Sequence, residues 1–286
     1  MTGIAIVDKP ADWTSHDVVA KLRGALRERR IGHGGTLDPM ATGVLPVFVG
    51  RATRAVEFLE SADKEYLASC RFGLTTDTQD ITGTMLSESG LRPSEAEIKE
   101  ALLGFLGTQE QLPPLYSAIK VEGKKLYEYA RQGKNVPRKP RQIEISDIAP
   151  LGFGPEGDYR FRLTVSKGTY IRTLCHDLGQ RLGCGAAMSS LRRLRAGPFS
   201  IGEALPLEAL TAPGGERLLR PLDSLFSAYP ALTLDGEQSR RCRNGNEVYL
   251  PAAEGLWRLY GEDGEFLALA RAEQGVLKTV KNFFEV

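Results

Sequence analysis

The chain has 286 residues, 42% of them hydrophobic and 26% charged, with 31 glycines, which is the composition of an ordinary soluble protein with one large and one small unit. Its formal net charge of +1 excludes a globally polyanion-seeking protein, so any nucleic-acid affinity must come from segregated basic patches. Cys70, Cys175, Cys184 and Cys242 have no C-x-x-C spacing, no signal-peptide core precedes Asp8-Lys9-Pro10, and no apolar run is long enough to span a bilayer; the expectation is a cytoplasmic protein with reduced thiols and no membrane contact.

Residues 4–7 read as a strand. Thr14 and Asp17 form a helix-start signal before Val18, Val19, Leu22 and Leu26, whose spacing predicts an amphipathic helix with Arg23, Arg27 and Arg30 on its other face. A glycine-rich loop follows, then an apolar strand over 44–49 and a helix over 52–59. Residues 65–72 alternate as a strand with Tyr66, Ala68, Cys70 and Phe72 on one face. Residues 74–91 read as a loop excursion, 94–105 as a capped helix, and 126–132 as a helix stopped by Gly133. Phe161, Leu163 and Val165 alternate with Arg160, Arg162 and Thr164, a half-exposed strand with a basic outer face. If that strand continues, Tyr170 and Arg172 share its polar face. Leu174, Leu178 and Leu182 mark a helix ending at Gly183. Prolines and glycines over 205–227 suggest a boundary, beyond which short strands and glycine turns predict a small β-barrel-like module. The irregular order of strands and helices predicts an α+β fold with a mostly antiparallel sheet. No long apolar seam is visible, so a monomer is the default.

Walker, dinucleotide-binding, H-E-x-x-H and G-x-S-x-G motifs are all missing, and His16, His33 and His176 are too scattered for a histidine-built metal site. What remains is the loop of residues 32–45, Gly-His-Gly-Gly-Thr-Leu-Asp-Pro-Met-Ala-Thr-Gly-Val-Leu. Asp38 precedes Pro39, which pushes it away from helical dihedrals. The loop can therefore project one carboxylate into a cleft, or Asp38 can cap a helix opened by Pro39; local sequence leaves both readings open. Asp77 and Asp80 resemble part of a calcium loop but lack its glycine and glutamate spacing, which favours a turn with side-chain caps. Lys120, Lys124, Lys125, Arg131, Lys134, Arg138, Lys139 and Arg141 make a basic segment over 120–141, and further runs lie at Arg192-Arg193-Arg195 and Arg240-Arg241-Arg243.

Residues 32–45 resemble the catalytic motif of the bacterial tRNA pseudouridine-55 synthases, the TruB family. Asp8-Lys9-Pro10, Asp63-Lys64-Glu65-Tyr66, residues 124–133, residues 166–172 and Leu191-Arg192-Arg193-Leu194 resemble the family's other motifs in the same order. The resemblance implies a pseudouridine synthase fold, a large mixed, mainly antiparallel sheet flanked by helices, over 1–227, and a PUA-like RNA-binding module over 228–286. It implies isomerisation of a T-loop uridine in tRNA. The C1′–N1 bond breaks, uracil rotates and a C1′–C5 bond forms, with atoms conserved and no cofactor or metal demanded. Asp38 would be the essential carboxylate, paired with Arg172. Tyr66 would stack on the flipped base, Tyr170 and Leu191 would line its pocket, and His33 would fill the space the base leaves in the T-loop. Lys9 and Pro10 would support the active-site loop. Lys124, Lys125, Arg131, Arg138, Arg141 and Arg193 would contact RNA, without guide RNA or a protein partner. The alternative from another class is a non-catalytic tRNA-binding or tRNA-folding protein; a further rival is a carboxylate-metal nuclease built on Asp38, Asp77 and Asp80.

Overall fold

The computed structural model describes residues 1–134 and 136–284; Asn135, inside the basic segment, and Glu285 and Val286, at the end of the expected C-terminal module, lie outside the described residues. β1 (Gly3–Lys9) leads into α1 (Ser15–Leu26). Reciprocal bonds start that helix: the Thr14 hydroxyl accepts from Asp17 N while the Asp17 carboxylate accepts from Thr14 N. Val18, Val19, Leu22 and Leu26 form its buried stripe. β2 (Ile31–His33) and β3 (Thr42–Val49) are the two feet of the glycine-rich loop. A 3-10 turn at Gly50–Ala55 and a short α2 (Val56–Glu60) stand where one helix was expected.

β4 (Lys64–Phe72) alternates as anticipated, burying Lys64, Tyr66, Ala68 and Cys70. Residues 74–91 are not a loop excursion. They hold a hairpin of β5 (Leu74–Thr76) and β6 (Met85–Glu88), and because every residue of β6 is exposed, no alternation announced it. α3 (Glu95–Leu103) starts at a Ser94–Glu97 capping box and is followed by β7 (Gly107–Gln111). The basic segment contributes a tiny hairpin of β8 (Lys120–Val121) and β9 (Lys124–Lys125), then α4 (Leu126–Arg131). β10 (Arg141–Phe153) and β11 (Tyr159–Val165) pair before α5 (Ile171–Arg181), and β12 (Ala186–Ala196), β13 (Phe199–Ser200), β14 (Leu205–Pro206) and α6 (Leu207–Thr211) complete this part.

The main sheet has ten strands in the order β14-β1-β3-β12-β4-β11-β10-β7, with β13 on β12 and β2 on β3. Its pairs are antiparallel except β1 with β14 and β3 with β12. One face is sealed by α1, α3, α5 and α6, whose apolar residues share a core with Tyr66, Ala68, Phe161 and Leu163. Over β4, β11 and β12 the other face is open and polar: Arg162 and Arg195 both pair with Glu65, and the Ser190 hydroxyl donates to Ser69. The arginines expected on the outer face of β11 are there.

After β14 the chain builds a second sheet from β15 (Ala231–Thr233), β16 (Val248–Tyr249), β17 (Gly255–Tyr260), β18 (Phe266–Glu273) and β19 (Val276–Asn282), with α7 (Gly236–Arg243) against it. Its order is β15-β17-β18-β19-β16, a curled half-barrel around Leu259, Leu267, Ala270 and Leu277. Phe266 and Phe283 stack 5.2 Å apart against Phe226, and Leu269 joins Phe48 and Leu59 of the first part in one apolar cluster. A Lys281–Glu57 ion pair at 2.6 Å crosses the same seam.

Candidate active site

The loop between β2 and β3 leaves the sheet after His33, whose Cα faces Val47, and returns at Thr42. Gly35 turns it at φ +109°, and Gly43 sits at φ +99° where an added Cβ would lie 2.2 Å from the Arg193 carbonyl oxygen. Ala41 N bonds to Asp38 O at 3.0 Å, so Asp38 begins a tight turn and caps no helix. Of the two local readings, the loop takes the one that projects the carboxylate.

Buried side chains hold this loop. Ser15 Oγ accepts from Leu37 N at 2.9 Å and donates to Leu37 O at 3.2 Å. Lys9, fully buried, donates to Pro39 O at 3.0 Å and to Pro10 O and Trp13 O. Burial lowers the Lys9 ammonium to a pKa of about 8, against the pull of Asp12 and Asp38. Lys9→Met leaves those carbonyls without their donor, and urea denaturation at pH 7 should read a loss of about 1–3 kcal/mol. The unfolded lysine holds its proton up to about pH 10 and the folded one only to about 8, so this group makes wild-type stability rise between those values, and Lys9→Met flattens that rise.

Arg172 meets Asp38 with two nitrogens, Nε to Oδ2 at 2.9 Å and Nη2 to Oδ1 at 3.2 Å. The same guanidinium donates to Thr78 O at 3.0 Å and Tyr116 O at 2.9 Å, and lies 3.6 Å from Asp80 Oδ2. The Arg172 side chain is 7% exposed, whereas the Asp38 side chain keeps 32% of its surface exposed. Burial raises the Asp38 carboxyl above the ordinary carboxylate range, and Arg172 is the strongest opposing influence.

Arg172 does not arrive on a strand. β11 ends at Val165, a turn follows, and α5 begins at Ile171, so Tyr170 is the residue before the helix and Arg172 lies in its first turn. The expected shared strand face is thereby corrected. The buried Gln111 amide holds the start of the helix, donating to Tyr170 O at 3.0 Å and accepting from Tyr170 N at 2.8 Å.

These groups line one cleft of about 730 Å³, large enough for a nucleoside with its phosphates. Asp38, Tyr66, Tyr170, Arg172 and Leu191 all reach it, with Lys64, Tyr116, Lys125 and Tyr127 around them. Lys64 Nζ caps the carbonyls of Glu60 and Ala62, and burial lowers it to about 8. His33 stands behind the rim, 5.3 Å edge-to-face from His16, which does line the cleft. Burial lowers His33 to about 4, so it is neutral at physiological pH, and its buried Nδ1 has no hydrogen-bond partner among the described residues.

The basic residues divide. Lys124, Arg131 and Arg141 are exposed, Lys125 is half-buried at the cleft, and Arg138 is half-buried with Nη1 donating to Pro113 O at 2.8 Å. Arg193 does not belong with them. It is 1% exposed, with Nε donating to Val44 O at 2.7 Å and Nη2 to Gly35 O at 3.2 Å, so its polar bonds go to loop carbonyls although the side chain also reaches the wall of the cleft. Asp77 is engaged as a turn cap by Thr84 N and by the Tyr116 hydroxyl, while the Thr78 hydroxyl and Thr82 N donate to Asp80. A guanidinium separates Asp38 from Asp80, and among the described residues no three His, Cys, Asp or Glu side chains are arranged to hold a metal. The role of Asp80 as second carboxylate on Arg172 was not foreseen, because 92 positions separate the two in sequence.

A family profile described as TruB family pseudouridylate synthase (N terminal domain) matches residues 23–171. Profiles described as tRNA pseudouridylate synthase B C-terminal domain and Pseudouridine synthase II TruB, C-terminal match residues 172–227 and 230–280. A tRNA pseudouridine synthase B of Clostridium kluyveri is 40% identical over 99% of this chain and 100% of its own length. One of Opitutus terrae is 47% identical over 81% of this chain and 96% of its own. Among solved structures, a Cbf5-Nop10-Gar1 complex contains a chain that matches with a TM-score of 0.74 at 28% identity, covering 99% of this chain and 85% of that one. A structure of an H/ACA RNP bound to a substrate RNA containing 2′-deoxyuridine matches with the same TM-score at 25% identity and the same coverage.

Proposed function

The chain belongs to the TruB family of pseudouridylate synthases, and we propose that it isomerises the T-loop uridine 55 of tRNA to pseudouridine with Asp38 as the carboxylate that carries the chemistry. The observation behind this reading is the presentation of one aspartate from a clamped loop, held bidentately by Nε and Nη2 along one edge of a guanidinium, at the wall of a nucleoside-sized cleft. The flipped uridine enters that cleft between Tyr66 and Leu191. Unstacking a base costs a few kcal/mol and an aromatic platform returns about 1–3, so Tyr66 offsets most of the extrusion. Neutral His33 takes the vacated place in the T-loop. Atoms balance without a second substrate: N1 leaves C1′, C5 replaces it, and the C5 hydrogen exits to solvent as N1 gains one. The direct test is release of tritium from tRNA labelled at uracil C5, with mapping of the product; a chain that binds tRNA yet releases none would overturn the reading.

Residues 1–227 form the catalytic unit and 228–286 a PUA-like RNA-binding module, a division supported by the separate sheet that begins at Ala231. The enzyme works as a cytoplasmic monomer without guide RNA. The free, buried cysteines and the lack, among the described residues, of a helix able to cross a membrane fit that setting. Exposed Lys124, Arg131 and Arg141, with Lys125 at the rim, clamp tRNA phosphates. Binding should fall steeply with salt, and Arg131→Ala should reduce the log–log slope of affinity against salt by about 1 while weakening all tRNAs alike. Filter binding across a salt series reads both quantities, and a flat profile contradicts the clamp.

A further inference from the structure

Arg193 is a buried cation with no carboxylate within ion-pair distance among the described residues, an arrangement that is unfavourable unless its hydrogen bonds offset it. Among the described residues those bonds go to two places. Nε reaches Val44 O at 2.7 Å on the strand that leaves the aspartate loop, and Nη2 reaches Gly35 O at 3.2 Å on the entry side, two residues past the end of β2. The Arg193 backbone meets the same loop, pairing with Gly43 so closely that any Cβ there would strike it. The sheet ladder on the entry side stops at His33, with one further bond from Gly34 N to Pro46 O, so position 35 has no strand partner of its own. Lys9 and Ser15 fix the tip of the loop at Pro39 and Leu37, while Arg193, whose backbone also pairs with Tyr66 of β4 and whose side chain reaches the cleft wall, holds its feet.

We infer that Arg193 is a positioning residue, a rigid fork that sets the separation of the two feet of the loop and so places Asp38 against Arg172. A guanidinium suits this because its donors diverge at fixed angles from one plane, whereas an ammonium is a single point. The inference rests on Asp38 being the reacting carboxylate, and Asp38→Asn run in parallel tests that reading separately.

The experiment compares full-length Arg193→Lys and Arg193→Met with wild type in three measurements. These are the single-turnover rate of isomerisation at saturating enzyme, the Kd for tRNA, and amide hydrogen exchange of the peptide covering 34–44. A misplacement of about 1 Å is worth about 100-fold in rate, so Arg193→Met should lose about that much, with Arg193→Lys between it and wild type. The Kd should stay at the wild-type value, and exchange should quicken in 34–44 but not across β4 and β11. Wild-type single-turnover rates in both variants would overturn the inference. So would a loss carried wholly by Kd, exchange raised uniformly over the sheet, or unfolding of the charge-conserving Arg193→Lys. An active Asp38→Asn would instead sink the assignment of Asp38 and leave the clamp to be judged by exchange alone.

Discussion

Asp38→Asn should abolish tritium release from C5-labelled tRNA, lowering the rate by at least about 10⁴-fold, the scale on which removal of an essential reacting side chain falls. The substitution is isosteric, so it isolates the charge. Arg172 keeps Thr78 O, Tyr116 O and the nearby Asp80, and is therefore not stranded when the aspartate is neutralised. Burial already disfavours the Asp38 anion, so removing it should leave unfolding free energy close to wild type. The cationic surface at Lys124, Arg131 and Arg141 is untouched, and tRNA affinity should stay near wild type. Retained release with retained binding would transfer the chemistry to another group. Loss of release together with loss of binding would make residue 38 a recognition element.

Much of this centre is written locally. The density of glycines around one aspartate, and the Asp-Pro step, describe a stiff projecting loop without reference to anything distant. The Thr14–Asp17 start of α1 and the alternation in β4 and β11 are likewise short-range and appear as read. The parts that were misread depend on long-range contacts or on a boundary between periods. Ile171, Leu174, Cys175 and Leu178 are buried at helical spacing, so the start of α5 was available, but the alternation through Val165 was carried past the turn at 166–169. β12 hid because its alternation is interrupted by irregularities at 188–190 and 193–195, and because it holds few β-branched residues. Between and beside those irregularities lie Leu191 and Arg193, both of which reach the cleft, with Arg193 also bonded to the loop carbonyls. An arginine in an arginine run reads as surface; only its place between β3 and β4 makes it interior. Asp80, Gln111 and Tyr116 reach the centre through tertiary contacts alone, and no spacing rule connects them to Arg172 or Tyr170.

Arg172→Met should act on the ionisation of Asp38 as well as on its position, and the pH profile separates the two. Burial displaces the Asp38 carboxyl upward and Arg172 is the main force pulling it down, so without the guanidinium it moves higher still. Activity that needs the anion is lost as pH falls through this value. The acid limb of kcat/KM must therefore shift toward alkaline pH in the variant, and raising the pH should restore part of the activity. Breaking a buried pair by removing one partner is worth about 3–5 kcal/mol, and the partial exposure of Asp38 argues for the lower end. Displacing the reacting carboxylate by about 1 Å is worth about a 100-fold loss of rate at neutral pH. The same change strips Asp80, which is 6% exposed on its side chain, and frees two carbonyls, so stability should also fall. Protonation of Asp38 relieves its stranded charge, so the stability gap to wild type should narrow as pH is lowered, opposite in direction to the activity. Arg172→Lys keeps a cation but loses the fork, and should show the smaller displacement of the limb with a rate still depressed. An acid limb unmoved in Arg172→Met would mean that the ion pair does not govern the charge on Asp38, whatever the loss of rate.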